Sequence, residues 1–83
     1  MKYRAKIEVS LKPGHSNPEG ETIARLLKEL GYAVDSVDVS KAYSVTFSAV
    51  TPKDAKADVE EMSKRLLANP TKDNYSITFE EQR

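Results

Sequence analysis

The first twenty residues hold the pattern that most restricts the fold. Apolar residues alternate with charged or polar ones from Tyr3 to Leu11, and a period of two places one row on a core and the other on the opposite face of a sheet. Directly behind this strand and its Lys12-Pro13-Gly14 turn, Asn17 offers a capping side chain, and Pro18 takes a first helical position where its missing N–H costs nothing. We therefore predict a strand, a structured loop and a helix that folds back onto the apolar face.

Two segments have the apolar spacing of helices. The first runs from Pro18 to Leu30 and ends at Gly31, which can adopt the left-handed conformation that closes a helix. Its predicted core positions are Ile23, Leu26, Leu27 and Leu30. The second begins at Thr51-Pro52 and ends at Asn69-Pro70, with predicted core positions Ala55, Val59, Met62, Leu66 and Leu67.

Three further segments alternate as strands do. They lie around Val37 and Val39, from Tyr43 to Ala49, and from Tyr75 to Phe79. The connector 40–42 between the first two is too short for a crossover, so we predict an antiparallel hairpin there, although no Asn-Gly or Asp-Gly turn specifies it. The resulting order, β-α-β-β-α-β, predicts an α+β fold with two layers. Both helices would cover one face of a four-stranded antiparallel sheet, in the ferredoxin-like arrangement or a close variant.

Length and composition limit the classes of function. A chain of 83 residues is expected to form one domain, residues 1–83, whose small core makes self-association or partner binding favourable. Lysine plus arginine equal aspartate plus glutamate, which argues against nucleic acid and anionic lipid as partners. There is no cysteine and no apolar run of the roughly 20 residues that a membrane span needs, so we expect a cytoplasmic protein without disulfides or thiolate metal sites.

The face of the sheet opposite the helices is predicted to be open and polar. It would carry Lys2, Arg4, Lys6, Glu8 and Ser10 with the hydroxyls of Ser44, Thr46, Ser48, Ser76 and Thr78. RNA-binding sheets place aromatic rings on such a face, and this one has none. Two interpretations stay open, a surface for self-association and a simply solvated face.

No set of residues indicates catalysis. His15 is the one histidine and has no metal-ligand or triad partners at the required spacing, so we predict no catalytic residue, no metal site and no cofactor. The loop from Lys12 to Asn17 precedes a helix N-terminus and could bind an anion, but it lacks the glycine-rich cradle of phosphate loops. A purely structural loop is the favoured interpretation.

Several motifs together resemble the PurS family, the small subunits of phosphoribosylformylglycinamidine (FGAM) synthase. They are Lys12-Pro13-Gly14, Asn17-Pro18-Glu19-Gly20, Leu30-Gly31-Tyr32 and Leu66-Leu67-Ala68-Asn69-Pro70. The resemblance covers nearly the whole chain in order. One departure is Asn17, where the family usually has aspartate; the exchange keeps the capping oxygen.

The resemblance implies a role in de novo purine synthesis. Formylglycinamide ribonucleotide, ATP and glutamine would give FGAM, ADP, phosphate and glutamate, with the chemistry done by a large synthetase subunit, PurL, and a glutaminase subunit, PurQ. A PurS-like chain would be a non-catalytic homo-oligomer, a dimer or tetramer, that links these subunits and aids ammonia transfer. The family-motif residues that could contact partners are Lys12, Pro13, Gly14, Asn17, Pro18, Gly20, Asn69 and Pro70.

Two rival classes share the predicted order of elements. An ACT-like module that senses a small molecule often carries a Pro-Gly loop after its first strand, and it is the alternative function. An RNA-binding domain is disfavoured by the neutral charge and by the missing aromatic rings on the open face.

Overall fold

The computed structural model describes the backbone of residues 1–82 and the side chains of residues 1–80. Within that range the chain forms three strands, two α-helices and one π-helical turn. In chain order these are β1 (Lys2–Leu11), α1 (Pro18–Glu29), β2 (Ser40–Ser48), α2 (Pro52–Met62), the π-helical turn (Ser63–Leu67) and β3 (Asp73–Gln82).

The strands form one antiparallel sheet with β1 in the centre and the order β2-β1-β3. In the register of β1 with β2, Lys2 lies opposite Ser48 and Ser10 opposite Ser40. In the register of β1 with β3, Leu11 lies opposite Asp73. The end of β1 and the starts of β2 and β3 therefore meet at one edge of the molecule, which we call the loop end.

The prediction of a four-stranded sheet with a hairpin at residues 40–42 is wrong. Residues 32–39 form no strand, and the predicted turn belongs to β2, where Lys41 pairs with Val9 and Ala42 with Glu8. The ten-residue β1 is long enough to pair with β2 along its whole length, and no turn-forming dipeptide interrupts β2. Because the chain enters β2 at Ser40 without reversing direction, the segment that holds the alternating valines at 37 and 39 cannot fold back to pair with β2.

The hydrophobic core lies between the inner face of the sheet and α2. Tyr3, Ala5 and Ile7 of β1 are fully buried, as are Ala55 and Val59 of α2. Because β1 is central, its inner row is the best covered, whereas the inner rows of β2 and β3 are half-buried. The rings of Phe47 and Phe79 from these outer strands approach the Tyr3 ring, with centroids 6.1 and 5.3 Å away.

The second helix departs from the predicted pattern in its last turn. The Ala68 N–H donates to the Ser63 carbonyl five residues back, at 2.9 Å, which widens the turn. Leu66, predicted to be a core residue, is consequently exposed, while Ala68 is buried and Leu67 half-buried. The buried Ser63 hydroxyl is satisfied by donating to the Val59 carbonyl at 2.8 Å.

Helix α1 does not cover the sheet, so the prediction that both helices pack on one face is also wrong. It belongs to an excursion of residues 18–39, here called the arm, that begins behind the loop of residues 12–17 and returns to the loop end to start β2. Of the twelve residues of α1, two are buried, Gly20 and Ala24, and none joins the core cluster described above.

The dimensions agree with this placement. The radius of gyration is 16.5 Å, whereas a compact domain of this length has about 12 Å. A ten-residue strand of about 33 Å followed by a twelve-residue helix of about 18 Å accounts for the longest extent of 52 Å. The arm therefore extends the molecule beyond the loop end.

The predicted starts of both helices and the predicted end of α1 are confirmed. Asn17 and Thr51 cap α1 and α2 through their side-chain oxygens, which accept from the N–H groups of Gly20 and Asp54. Gly31 ends α1 with a φ of 97°, and the N–H groups of Gly31 and Tyr32 donate to the carbonyls of Lys28 and Leu27. In the described part of the chain no helix has the length and apolarity needed to cross a membrane.

The open, polar face of the sheet is confirmed as well. The β1 residues predicted to lie there are exposed, apart from the half-buried Ser10, and the hydroxyl residues of β2 and β3 beside them are exposed too. In the register, Arg4 lies between Thr46 and Glu80, and Lys6 lies between Ser44 and Thr78. This face is a flat layer of cations and hydroxyls that no helix covers.

Candidate partner-contact site

Most of the family-motif residues meet at the loop end, although they are far apart in sequence. Two loops form this site, residues 12–17 after β1 and residues 69–73 before β3, and we call it the loop junction. The Lys12 N–H donates to the Lys72 carbonyl at 2.7 Å, and the Lys12 ammonium donates to the Pro70 carbonyl at 2.9 Å. The antiparallel pairing of β1 with β3 brings the two loops to the same edge.

The loop before β3 is a closed turn built around Asn69. Its side-chain oxygen accepts from the Thr71 N–H at 2.9 Å, which is the bond by which asparagine forms a turn within its own backbone. The Asn69 carbonyl accepts from the N–H groups of Lys72 and Asp73, and the Asp73 carboxylate accepts from the Asn69 N–H at 2.8 Å. The turn thus holds Pro70 in place while leaving it exposed.

The loop after β1 connects the sheet to the arm. Gly14 has a φ of 88°, a conformation that favours glycine, and the neighbouring Pro13 and His15 are exposed. At the end of this loop Asn17 makes two bonds with one side chain: its oxygen caps α1, and its Nδ2 donates to the Val37 carbonyl at 3.0 Å. The amide therefore ties the start of α1 to the segment that returns from the arm.

Gly20 allows this close contact. A Cβ at this position would collide with the Val37 carbonyl and with the Asn17 side chain. The start of α1 and the returning segment can therefore approach each other only because residue 20 lacks a side chain. Of the eight predicted motif residues, Lys12, Pro13, Gly14, Asn69 and Pro70 lie in the loop junction itself, and Asn17, Pro18 and Gly20 lie where the arm leaves it.

Two clefts border the loop junction. One, of about 400 Å³, is lined by the loop from Lys12 to His15 together with Asp38 and Val39. The other, of about 290 Å³, lies over the start of β2 between Pro18, Tyr43 and Leu67. Cations and carboxylates both occur on their walls, and in the described part of the chain no cluster of His, Cys, Asp or Glu side chains is arranged to hold a metal ion.

Several polar groups of the loop junction are engaged within the chain. The Lys12 ammonium donates to the Pro70 carbonyl, and the exposed residues around it include prolines, Asn69 and Lys72. A purely structural role for the loop 12–17 and the absence of a catalytic role for His15 stay predictions. Sequence reasoning missed Lys72 and Asp73 as members of the site, although an asparagine and an aspartate four residues apart around Pro70 are typical of a self-capped turn.

The sheet and α2, here called the body, carry a side chain with a shifted pKa, Tyr75. The pKa of Tyr75 is raised above 10.0, first by its hydrogen bond to the Glu60 carboxylate at 2.8 Å, then by desolvation and by the negative charge of Glu60. This pair ties β3 to α2. It therefore belongs to the packing of the body.

Comparison with known proteins places the chain in a family. The PurS family, described as phosphoribosylformylglycinamidine (FGAM) synthase, matches residues 4–81. The PurS subunit of Methanothermobacter thermautotrophicus is 35% identical over 81 residues, with 98% of this chain and 96% of that protein covered. The structure of Thermus thermophilus PurS superposes with a TM-score of 0.88 at 31% identity and covers the whole of both chains.

A further similar structure is of a complex. A chain in the structure of PurLQS from Thermotoga maritima superposes with a TM-score of 0.86 at 26% identity, covering 96% of this chain and 99% of that one. These similarities support the resemblance noted from the motifs and give no support to the ACT-like alternative. The chain therefore belongs to the PurS family and is a subunit of FGAM synthase, an enzyme of purine biosynthesis.

Proposed function

We propose that this chain is the non-catalytic subunit that links a PurL synthetase to a PurQ glutaminase and aids ammonia transfer between them. The observation that carries the proposal is the similarity, over almost the full length of both chains, to a chain in the PurLQS structure from Thermotoga maritima. The extended shape supports it, because a molecule 52 Å long can touch two larger subunits at once.

Reconstitution with two nitrogen sources tests this proposal. Purified cognate PurL and PurQ are assayed with formylglycinamide ribonucleotide and ATP, with and without the chain, using either glutamine or an ammonium salt. A linking role predicts that omission of the chain lowers glutamine-dependent turnover at least tenfold and leaves ammonium-dependent turnover within twofold. Equal glutamine-dependent turnover with and without the chain would show that the proposal is wrong.

We further propose that the loop junction contacts one of these partners. Its prolines are exposed, and its turn around Asn69 is closed by hydrogen bonds within the loop, so the shape of the surface is fixed before binding. A fixed shape lowers the entropy cost of association. The chain offers a matched pair of variants, since Pro18 and Pro52 are both exposed prolines at the start of a helix behind a side-chain cap.

Only Pro18 lies beside the loop junction; Pro52 follows the opposite end of β2. Pro18→Glu is expected to weaken co-purification with PurL and PurQ at least tenfold, while Pro52→Glu leaves it unchanged. If both variants bind as the parent does, the site assignment fails, and the reconstitution above still decides the linking role.

We propose in addition that the chain is a homo-oligomer, a dimer or a tetramer, and that it acts as a single domain in the cytoplasm. One core cluster, shared by the sheet and α2, supports the single domain, and the absence of cysteine from the 83 residues suits a reducing compartment. Self-association is supported by the small core and by the large apolar side chains that remain exposed. Sedimentation at micromolar concentration should give a mass at least twice that of the chain, and a monomer would contradict the proposal.

A further inference from the structure

The π-helical turn carries the most exposed large aliphatic side chain among the described residues, Leu66. Its exposed fraction is 84%, and the residues directly before it, Lys64 and Arg65, are exposed as well. We call these three residues the turn surface. A leucine so open to water contributes little to the folding of the isolated chain, so its apolar area is available for contact with another molecule.

The wide turn is what brings Leu66 to the surface. In a regular helix Leu66 lies seven positions after the buried Val59, on the same apolar stripe. The bond from the Ala68 N–H to the Ser63 carbonyl adds a residue to the turn, so the buried positions become Ser63 and Ala68. The fully buried Ser63 hydroxyl supports this arrangement by donating to the Val59 carbonyl at 2.8 Å. Wide turns inside helices are rare and occur often at functional sites.

The turn surface leads directly into the loop junction. Leu66 precedes the exposed Pro70 by four residues, which span at most about 14 Å. Between them the buried Ala68 and the bond from the Asn69 N–H to the Asp73 carboxylate fix the path of the chain. A standard interface of about 800 Å² per partner is about 30 Å across, so a partner bound at the loop junction also covers Leu66.

Exposed cations lie on and beside the turn surface. Lys64 and Arg65 belong to it, and Lys72 is exposed in the loop junction. Of the carboxylates close to them in sequence, that of Glu61 is paired with Arg65 at 3.4 Å, and that of Asp73 accepts a backbone N–H of its own loop. The exposed leucine therefore has a mainly positive border, which is complementary to a partner surface that carries carboxylates.

We propose that Leu66 inserts into an apolar pocket, bordered by carboxylates, on another subunit of FGAM synthase. The wide turn presents the leucine, and the loop junction beside it completes the contact. This inference rests on the proposed linking role and on the proposed partner contact of the loop junction, and it adds the side chain on which the affinity depends. Full burial of a leucine side chain strengthens binding by about tenfold or more.

Titration of the chain into the reconstituted PurL and PurQ mixture tests the inference. The concentration that gives half-maximal glutamine-dependent turnover reports the affinity. Leu66→Ala should raise this concentration at least tenfold and leave the turnover at saturation unchanged. The matched control is Val50→Ala, which changes an 81% exposed side chain between β2 and α2 and should stay within twofold of the parent. The urea midpoint of either isolated variant should equal that of the parent, because both side chains are already open to water.

Charge reversal tests the border of the pocket. Lys64→Glu should also raise the half-maximal concentration, and added salt should weaken the parent more than this variant, because salt screens the attraction that the variant has lost. Lys53→Glu, at an exposed position in the first turn of α2, is the control and should behave as the parent. Equal behaviour of Lys64→Glu and the parent at all salt concentrations would overturn the carboxylate border.

The remaining outcomes separate this inference from the proposed function. A parent chain that does not stimulate glutamine-dependent turnover would overturn both. A stimulating parent would overturn the role of Leu66 alone if Leu66→Ala titrates within twofold of it, or if Val50→Ala is equally impaired. A lower sedimenting mass of isolated Leu66→Ala would also overturn that role, because it would place the leucine between copies of the chain.

Discussion

The body of the molecule, made of the sheet and α2, differs from the arm around α1 in how far an apolar helix face is buried. Both helices carry a similar apolar stripe. On α2, Ala55 and Val59 are fully buried, whereas Leu26 of α1 and Leu30 directly behind it remain exposed. Both helices have a proline start behind a side-chain cap. The difference lies in where the chain must go next: α2 runs back along the sheet to reach β3, but α1 leaves and returns at the same edge. An amphipathic helix covers the sheet only when the connection carries it across.

The largest effect that separates the two regions is expected from truncation in the body. Ile7→Ala removes a fully buried side chain and should lower the free energy of unfolding by about 2–5 kcal/mol. Leu26→Ala in the arm, measured in urea at concentrations where the chain is monomeric, should cost below about 1 kcal/mol because the site is already half open to water. Equal costs would mean that the arm is packed as tightly as the body.

The joint between body and arm should respond to Gly20→Ala. Alanine normally favours a helix by about 1 kcal/mol over glycine, but here its methyl group meets the Val37 carbonyl, and overpacking of this kind costs about 1–3 kcal/mol. We expect a net loss of stability in urea, together with changed backbone chemical shifts at residues 34–39. Gly14→Ala is the control, since a Cβ at that position meets no atom within 4 Å, and it should leave those chemical shifts unchanged. A stabilised Gly20→Ala chain would contradict the close approach.

A finer change at the same joint is Asn17→Asp, which retains the cap but removes the donor to the Val37 carbonyl. The loss of one hydrogen bond is expected to cost about 0.5–1.5 kcal/mol, with changed backbone chemical shifts at residues 34–39 and the helix content of α1 unchanged. Asn17→Ala loses both bonds and should also weaken α1. If Asn17→Asp alters nothing, the amide does not hold the arm together.

The smallest effect is expected within the body, at the hydrogen bond between Tyr75 and Glu60. Because this bond raises the pKa of Tyr75 in the folded chain above 10.0, it adds stability below pH 10 and loses that contribution as the pH rises through the folded pKa. The urea midpoints of the parent and Tyr75→Phe should therefore differ slightly at pH 8 and converge above the raised pKa. Tyr32→Phe, at the exposed tip of the arm, is the control and should show no such convergence. If the urea midpoints of the parent and Tyr75→Phe still differ by the same amount above the raised pKa, the hydrogen bond is not the source of the difference.

The correct predictions concern features that neighbouring residues determine. The inner and outer faces of β1, both proline helix starts and the glycine stop of α1 depend on spacing and on side chains within a few positions. The motif residues were also identified from the sequence. Lys12 and Pro70, however, are 58 positions apart, and only strand pairing brings them together. Lys72 and Asp73 entered the site only through that pairing.

The wrong predictions concern features that distant parts of the chain determine. The segment around Val37 and Val39 alternates as a strand does, yet the chain runs from it straight into β2 without turning back, because β2 pairs with β1 from Ser40 onward. Leu66 fits the apolar spacing of α2, but a single wide turn after Ser63 exposes it and buries Ala68 instead. In neither case does the local pattern indicate whether the segment pairs or the side chain is buried in the folded chain.

The amino-acid sequence alone determined which sides of β1, α1 and α2 are apolar, where both helices begin, where α1 ends, and that the chain is similar to PurS. These properties reside in short spacings and in motifs. The tertiary structure decided the number of strands, the loop junction and the position of α1 beyond the sheet. A periodic pattern specifies that a surface should be buried, but the surface that buries it is set by pairing and connection across the whole chain.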